Sequence, residues 1–282
     1  MCSVHPVLSA DSTPARATPG VGALAFRLRG DRTVLSVALA RSPLRLLAPR
    51  NHGDAAWVYL ANLGGGLVDG DRLAARVDVG PGASAFVGTQ ATTKVYRSPR
   101  GCSQRVDARV DEGGALSLAP DPVVCFAGAR YAQSVDVTLA EGASLLLVDG
   151  YTCGRSARGE RWAFARYASR TIVRRGGQAV LVDATRLEAA EGSIAERMGR
   201  FDVIMSIAAF GPKFAPVRDA MLAERAAPAA GDEAIASASP IRADGAIVRV
   251  AAAHYRAASR VLRPSFAALA AVLGDDPFCR KW

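Results

Sequence analysis

Lysine is scarce: Lys94, Lys213 and Lys281 are the only three, so arginine supplies nearly all of the formal +9 charge. The arginines are spread along the chain, no basic block reaches five residues, and aromatics make up only 6%. A nucleic-acid binder wants a concentrated basic patch and stacking rings, so that class is set aside. A diffuse positive charge suits an acidic protein partner as well.

Histidine is as rare, with His5, His52 and His254 alone. None has a local partner for a catalytic triad, no G-x-S-x-G occurs, and there is no His-rich tract. Cys2, Cys102, Cys125, Cys153 and Cys279 are odd in number, scattered and never in a C-x-x-C pair. Neither a disulfide framework nor a zinc site follows, and each reads as a small packed or surface residue in a reducing cytosol. Long apolar runs are missing too: Ala267 to Leu273 is far too short to span a bilayer, and no signal-peptide pattern opens the chain. The expectation is a soluble cytoplasmic protein that needs no membrane.

What is present is ample apolar material, 50% of 282 residues, enough for a real core. Residues 1–20 read as a flexible leader and residues 21–282 as one domain. From Val21 to about Asp183 the pattern alternates with period two. Leu73, Ala75, Val77 and Val79 share one face against Arg76 and Asp78; Val106, Ala108 and Val110 oppose Arg105, Asp107 and Arg109.

Similar glycine turns separate these runs, "VGPGASAFV", "VDEGGALSL", "LAEGASLLLV" and "VRRGGQAVLV", with Gly82, Gly114, Gly142 and Gly177 aligned roughly 30 residues apart. Two readings stand: a layered, repeating β architecture, or the glycine that any antiparallel turn requires.

After about Glu188 the spacing becomes helical at Phe214, Val217, Met221 and Leu222. Ala251–Leu262 and Ser265–Leu273 read as two helical segments interrupted by Pro264. Residues 226–240, rich in Ala, Ser, Pro and Gly, read as a mobile loop.

The stretch "GGGLVDGDR", Gly64 to Arg72, has the look of a ligand loop. It lacks the P-loop lysine, and Asp69 stands where a dinucleotide fingerprint needs its third glycine. As a calcium loop it would place Leu73 and Ala74 at ligand and turn positions. It is read instead as a corner, with Asp69 and Asp71 capping turns, a strand starting at Leu73 and another in "TQATTKVYRS".

Four segments in order, "NLGGGLVDGDRL", "VGPGASAFVGTQATTKVYRS", "LAPDPVVCFAGARY" and "CGRSARGERWAFA", carry a specific resemblance to the UreD (or UreH) family of urease accessory proteins. The resemblance implies a mainly β protein, a layered, β-helix-like arrangement of antiparallel and mixed strands with a few helices toward the C-terminus. It implies a non-enzymatic role: scaffold and nickel conduit, binding urease apoprotein and a UreF-type accessory protein that recruits the UreG-type GTPase. No cofactor would be tightly bound, and Ni2+ would pass transiently.

Oxygen ligands exchange metal readily and suit such a path. The acids embedded in the family-like motifs are Asp121 and Glu160, with Asp149 as a third candidate. Their ordinary alternatives are a turn cap before Pro122 for Asp121 and pairing with Arg155 or Arg158 for Glu160. Thr89, Gln90, Thr92 and Thr93 would line water or satisfy backbone, and Lys94 and Arg97 would bias a rim toward anionic partners or form a solvated face. Arg197–Pro240 and the "FCRKW" end match no part of the resemblance.

A different function remains open from the strands and turns alone, a β-helical or β-sandwich carbohydrate-binding module or carbohydrate-active enzyme. Its sugar-stacking rings would come from Trp162, Phe164 and Tyr167.

Overall fold

The computed structural model describes residues 20–223, 233–242 and 244–279. Its strands in chain order are β1 (Gly20–Arg29), β2 (Arg32–Ala40), β3 (Leu44–Leu47), β4 (Ala56–Asn62), β5 (Arg72–Val79), β6 (Ser84–Thr89), β7 (Lys94–Val95), β8 (Cys102–Val110), β9 (Ala115–Ala119) and β10 (Val123–Cys125). There follow β11 (Arg130–Leu139), β12 (Ser144–Thr152), β13 (Gly154–Arg155), β14 (Glu160–Arg161), β15 (Arg166–Arg175), β16 (Gln178–Glu188), β17 (Val203–Phe210), β18 (Ala234–Ile241) and β19 (Gly245–Ala252). The helices are α1 (Ile194–Met198), α2 (Ala215–Ala223) and α3 (Tyr255–Leu273).

Two sheets face each other. The first runs β16-β15-β11-β8-β5-β1-β2 and the second β18-β19-β17-β12-β9-β6-β4-β3. The inner strands of each are parallel: β1, β5, β8, β11 and β15 in the first, β4, β6, β9 and β12 in the second. Between β4 and β15 the chain passes alternately from one sheet to the other, so each circuit adds one strand to each layer. That is a β-helical coil, closed off at its flanks by antiparallel strands.

The crossing from the first sheet to the second is a short glycine turn stacked on its neighbours. Gly82 and Gly142 adopt φ 66°, a left-handed geometry without cost only for glycine. The equivalent residue of the middle turn is Gly113, φ 64°, rather than the neighbouring Gly114. The Gly82 N–H donates to the Glu112 carbonyl of the next turn at 3.0 Å. Gly177 belongs elsewhere: with Gly176 it makes the tight hairpin between β15 and β16. The repeat is therefore real for three of the four turns.

Burial follows from the layering. On β5 the alternation predicted for Leu73, Ala75, Val77 and Val79 is observed, all four buried, because the other face of the first sheet meets solvent. On β9 all five residues are buried, because the second sheet is covered on both faces. Its inner face packs Val87, Leu116 and Leu145 against Val77, Val110 and Val137 of the first sheet. Its outer face packs Phe86, Leu146 and Ile207 under Phe214, Val217 and Met221 of the α2 region and Leu262 and Leu269 of α3.

Four expectations are corrected. Tyr255–Leu273 is one helix running through Pro264, while Ala251 and Ala252 end β19. A single proline removes one helical hydrogen bond, and the buried stripe Ala258, Leu262, Ser265, Leu269 outweighs it. Ala234–Ile241, within the segment read as a loop, is strand β18; as an edge strand it tolerates Pro240, and Ala234 and Ala238 face inward. The rest of that segment through residue 232, like the leader at 1–19, lies outside the described residues. "TQATTKVYRS" is mostly not strand: Thr89 ends β6, and only Lys94–Val95 pair again, as β7. Finally, the change to helical spacing read after Glu188 is incomplete, since Val203–Phe210 is β17, an interior strand of the second sheet.

Candidate functional site

The long connections from the second sheet back to the first carry three of the quoted family-like motifs and the "QATTKVYRS" part of the fourth, and they gather at one end of the coil. There the inter-sheet core turns polar. Gln104 on β8, Gln133 on β11 and Ser169 on β15 stand in register across the first sheet, at positions whose neighbours two residues on, Val106 and Thr171, are buried between the sheets. Opposite them lie Thr89 at the end of β6, Asp121 after β9 and Asp149 on β12.

Asp149 is held from three sides. Gln133 Nε2 donates to Oδ1 at 2.7 Å, the Gly150 N–H donates to the same oxygen at 2.9 Å, and the Ser169 hydroxyl donates to Oδ2 at 3.0 Å. Burial nevertheless pushes its carboxyl above the ordinary 3.8, with the Ser169 and Gln133 hydrogen bonds opposing the shift. Asp121 accepts from the Thr89 hydroxyl at 2.9 Å while its own N–H donates to that hydroxyl oxygen at 2.8 Å, a reciprocal clasp between two loops.

Three cavities follow one another through these residues. A cavity of about 140 Å³ is walled by Asn62, Gly65, Gly66, Gln90, Thr92 and Lys94. It shares Thr89, Thr93 and Gln104 with a tighter one of about 40 Å³, whose wall adds Asp121, Gln133, Asp149 and Thr171. Asp149 and Gly150 in turn separate this from a third, about 80 Å³, walled by Ser169, Asp183, Thr185, Ser206 and Arg249. The first ends among exposed Gln90 and Lys94, the last beside exposed Arg249, which pairs with Asp183 at 3.3 Å. The Thr171 hydroxyl is buried at the middle cavity with no hydrogen-bond partner among the described residues.

"GGGLVDGDR" shapes the wide end. A Cβ on Gly66 would sit 2.6 Å from the Lys94 carbonyl, so only glycine lets this loop bridge Leu67 to Val95 beside the cavity. Asp71 caps its turn by accepting from the Val68 N–H at 2.9 Å, and Asp69 holds Arg100 at 2.8 Å.

Of the residues singled out from sequence, Thr89, Gln90, Thr92, Thr93, Lys94, Asp121 and Asp149 line this row of cavities. Glu160 and Arg97 do not. Glu160 sits on the β13–β14 hairpin, paired with Arg155 at 2.8 Å and accepting the Ala127 N–H at 3.1 Å, while Arg155 stacks 4.0 Å over the Phe126 ring. The Arg155 hydrogen bond, foremost, holds its carboxyl below the ordinary carboxylate range. Arg97 lies along Gly128 instead.

Gln104, Gln133, Ser169, Thr171, Asp183, Ser206 and Arg249 were missed. A signal for four of them is in the sequence: Gln104, Gln133, Ser169 and Thr171 are polar residues on the core parity of otherwise apolar strands.

Cys102, Cys125 and Cys153 are buried free thiols that desolvation pushes up, Cys102 and Cys153 to about 11, so they stay protonated near neutral pH. No cluster of three or more His, Cys, Asp or Glu able to hold a metal occurs among the described residues. No helix among them is long and apolar enough to cross a membrane. Trp162, Phe164 and Tyr167 are 4%, 1% and 0% exposed, so these rings pack the core and offer no sugar platform.

Comparison with known proteins agrees with the motifs. The family model described as UreD urease accessory protein matches residues 19–282. A urease accessory protein UreD of Sorangium cellulosum is 58% identical over 263 residues, covering 93% of this chain and 84% of its own length. A UreD of Anaeromyxobacter sp. is 45% identical over 88% of this chain and 84% of its own, and a urease accessory protein D of Oryza sativa subsp. japonica 34% over 96% and 97%. On these grounds the chain belongs to the UreD family of urease accessory proteins.

Proposed function

We propose that this chain serves urease maturation without catalysis, as a cytoplasmic scaffold that binds urease apoprotein and a UreF-type protein. Through that complex it works with a UreG-type GTPase, and nickel passes through it as cargo along the row of cavities between the sheets. The observation that carries this reading is the row itself: three spaces sharing walls in which polar groups are set among apolar ones, from Lys94 and Gln90 at one end to Asp183 and Arg249 at the other.

Its acids are few, and no three of them cluster among the described residues. Asp121 and Asp149 stand in the middle cavity and Asp183 in the last, each a hard oxygen donor engaged by hydrogen bonds or an ion pair. Single carboxylates with neutral hydroxyls and amides bind a divalent ion weakly and release it, whereas a thiolate cage would retain it. The three buried thiols, held protonated, do not compete.

Co-expression with urease and the UreF-type and UreG-type proteins tests the assignment. A stable complex containing this chain, and urease activity restored to a strain lacking its own UreD, are expected. Absence of both would contradict it.

A further inference from the structure

The exposed face of the first sheet is mostly a balanced ladder of charge. Arg76 pairs with Asp78, Arg105 with Asp107, Arg109 with Asp111 and Arg174 with Asp136. At the end where β5, β8, β11 and β15 begin, the balance fails. An open groove of about 500 Å³ there is floored by Gly101, Ser103 and Ala132 and walled by Arg72, Arg100, Arg130 and Arg166.

The strand register explains the groove. Arg72 stands in one row with Ser103 and Ala132, whose small side chains leave the floor low; Arg130 and Arg166 stand side by side in the next row. Arg100 is steered in from the preceding loop by Asp69, through both its N–H at 2.8 Å and its Nε at 2.8 Å. Glu188 faces Arg130 at 3.7 Å and Arg186 at 2.7 Å; the Arg186 hydrogen bond foremost, with Arg166 and Arg130 adding to it, holds its carboxyl low, and Glu191 shares Arg186 at 2.8 Å. The groove lining itself thus holds four arginines and no acid, and Arg72 makes no ion pair among the described residues.

We propose that this groove docks an acidic, extended segment of a protein partner. Arg72 and Arg166 are three strand spacings apart across the sheet and one row apart along it, about 16 Å, which is about the length of five residues of extended chain. A segment crossing the groove with carboxylates on alternate residues therefore brings acids within reach of Arg72 at one side and of Arg130 and Arg166 at the other. Guanidinium forks match carboxylates two bonds at a time. A nucleic acid fits worse: its continuous phosphates would run on over Asp78, Asp107 and Asp136, and the groove offers little aromatic surface for stacking. The inference stands apart from the nickel route, since it concerns the outer face.

The test is fluorescence anisotropy on the full chain with a labelled (Ser-Glu)₄ peptide, its (Ser-Gln)₄ counterpart and a single-stranded oligonucleotide of similar charge. The expected result is salt-sensitive binding of the glutamate peptide only, weakened about tenfold or more in Arg72→Gln/Arg166→Gln. The charge-matched Arg29→Gln/Arg170→Gln variant should bind as the unaltered chain does, with melting temperatures confirming that both variants fold. Equal weakening in the two variants would reduce the effect to net charge and overturn the proposal. So would binding of the oligonucleotide in place of the peptide, or no binding of the glutamate peptide.

Discussion

The second sheet has a different neighbour on each side, and the two buried layers differ in kind. Toward α2 and α3 it meets a closely packed apolar layer built from Phe86, Leu146, Ile207, Phe214, Met221 and Leu262. Toward the first sheet the layer begins as apolar, with Val77, Val110 and Val137, and then gives way at one end to Gln104, Gln133, Thr89, Asp121 and Asp149 around three cavities. A protein seeking only stability would continue valine to the end of the coil, because each buried polar group must recover its lost hydration through hydrogen bonds. The helix-covered layer holds the fold together, and the inter-sheet layer gives up packing for a polar interior.

The comparison breaks first in the apolar layer. Leu262→Ala removes a fully buried side chain under α3 and should cost about 2–5 kcal/mol by transfer and cavity terms. Chemical denaturation measures it, and a loss under about 1 kcal/mol would mean that this layer is not the close-packed one.

A smaller change of opposite sign is expected in the inter-sheet layer. Thr171→Val replaces a buried hydroxyl lacking a protein partner by a methyl group of similar size. It should be neutral or stabilise by up to about 1 kcal/mol. A clear destabilisation would show that the hydroxyl is well satisfied and the cavity less accommodating than its geometry implies.

The smallest effect concerns pH. Burial raises the Asp149 pKa above 3.8, so its contribution to stability is full below that value and is lost as pH rises through the folded pKa. The melting temperature of the unaltered chain minus that of Asp149→Asn should therefore fall as pH rises above 3.8. A difference that stays flat, or grows with pH, would place Asp149 in an environment that favours its charge.

Much of this architecture was legible in the residues. The alternation in β5 and β8 told which face is wet, and the turns at Gly82 and Gly142 marked the coil because positive φ leaves a trace in composition. β9 and β12 read only as apolar runs, since covering both faces erases the period of two. Pro264 misled because local propensity yields to a buried helix stripe, and β18 was hidden because an edge strand needs few large apolar residues.

At the candidate site two of the three acids named from sequence, Asp121 and Asp149, line the cavities and the third, Glu160, does not. Glu160 and Asp149 look alike in sequence. Only the fold shows that one meets Arg155 on a hairpin while the other stands between two cavities.

That separation is also the most direct test of the route. Urease matured in the presence of Asp149→Asn should contain less nickel per active site than urease matured with the unaltered chain, with complex assembly on size exclusion intact. Glu160→Gln should leave the nickel content unchanged. Equal nickel in all three preparations, or a loss with Glu160→Gln alone, would contradict a path between the sheets.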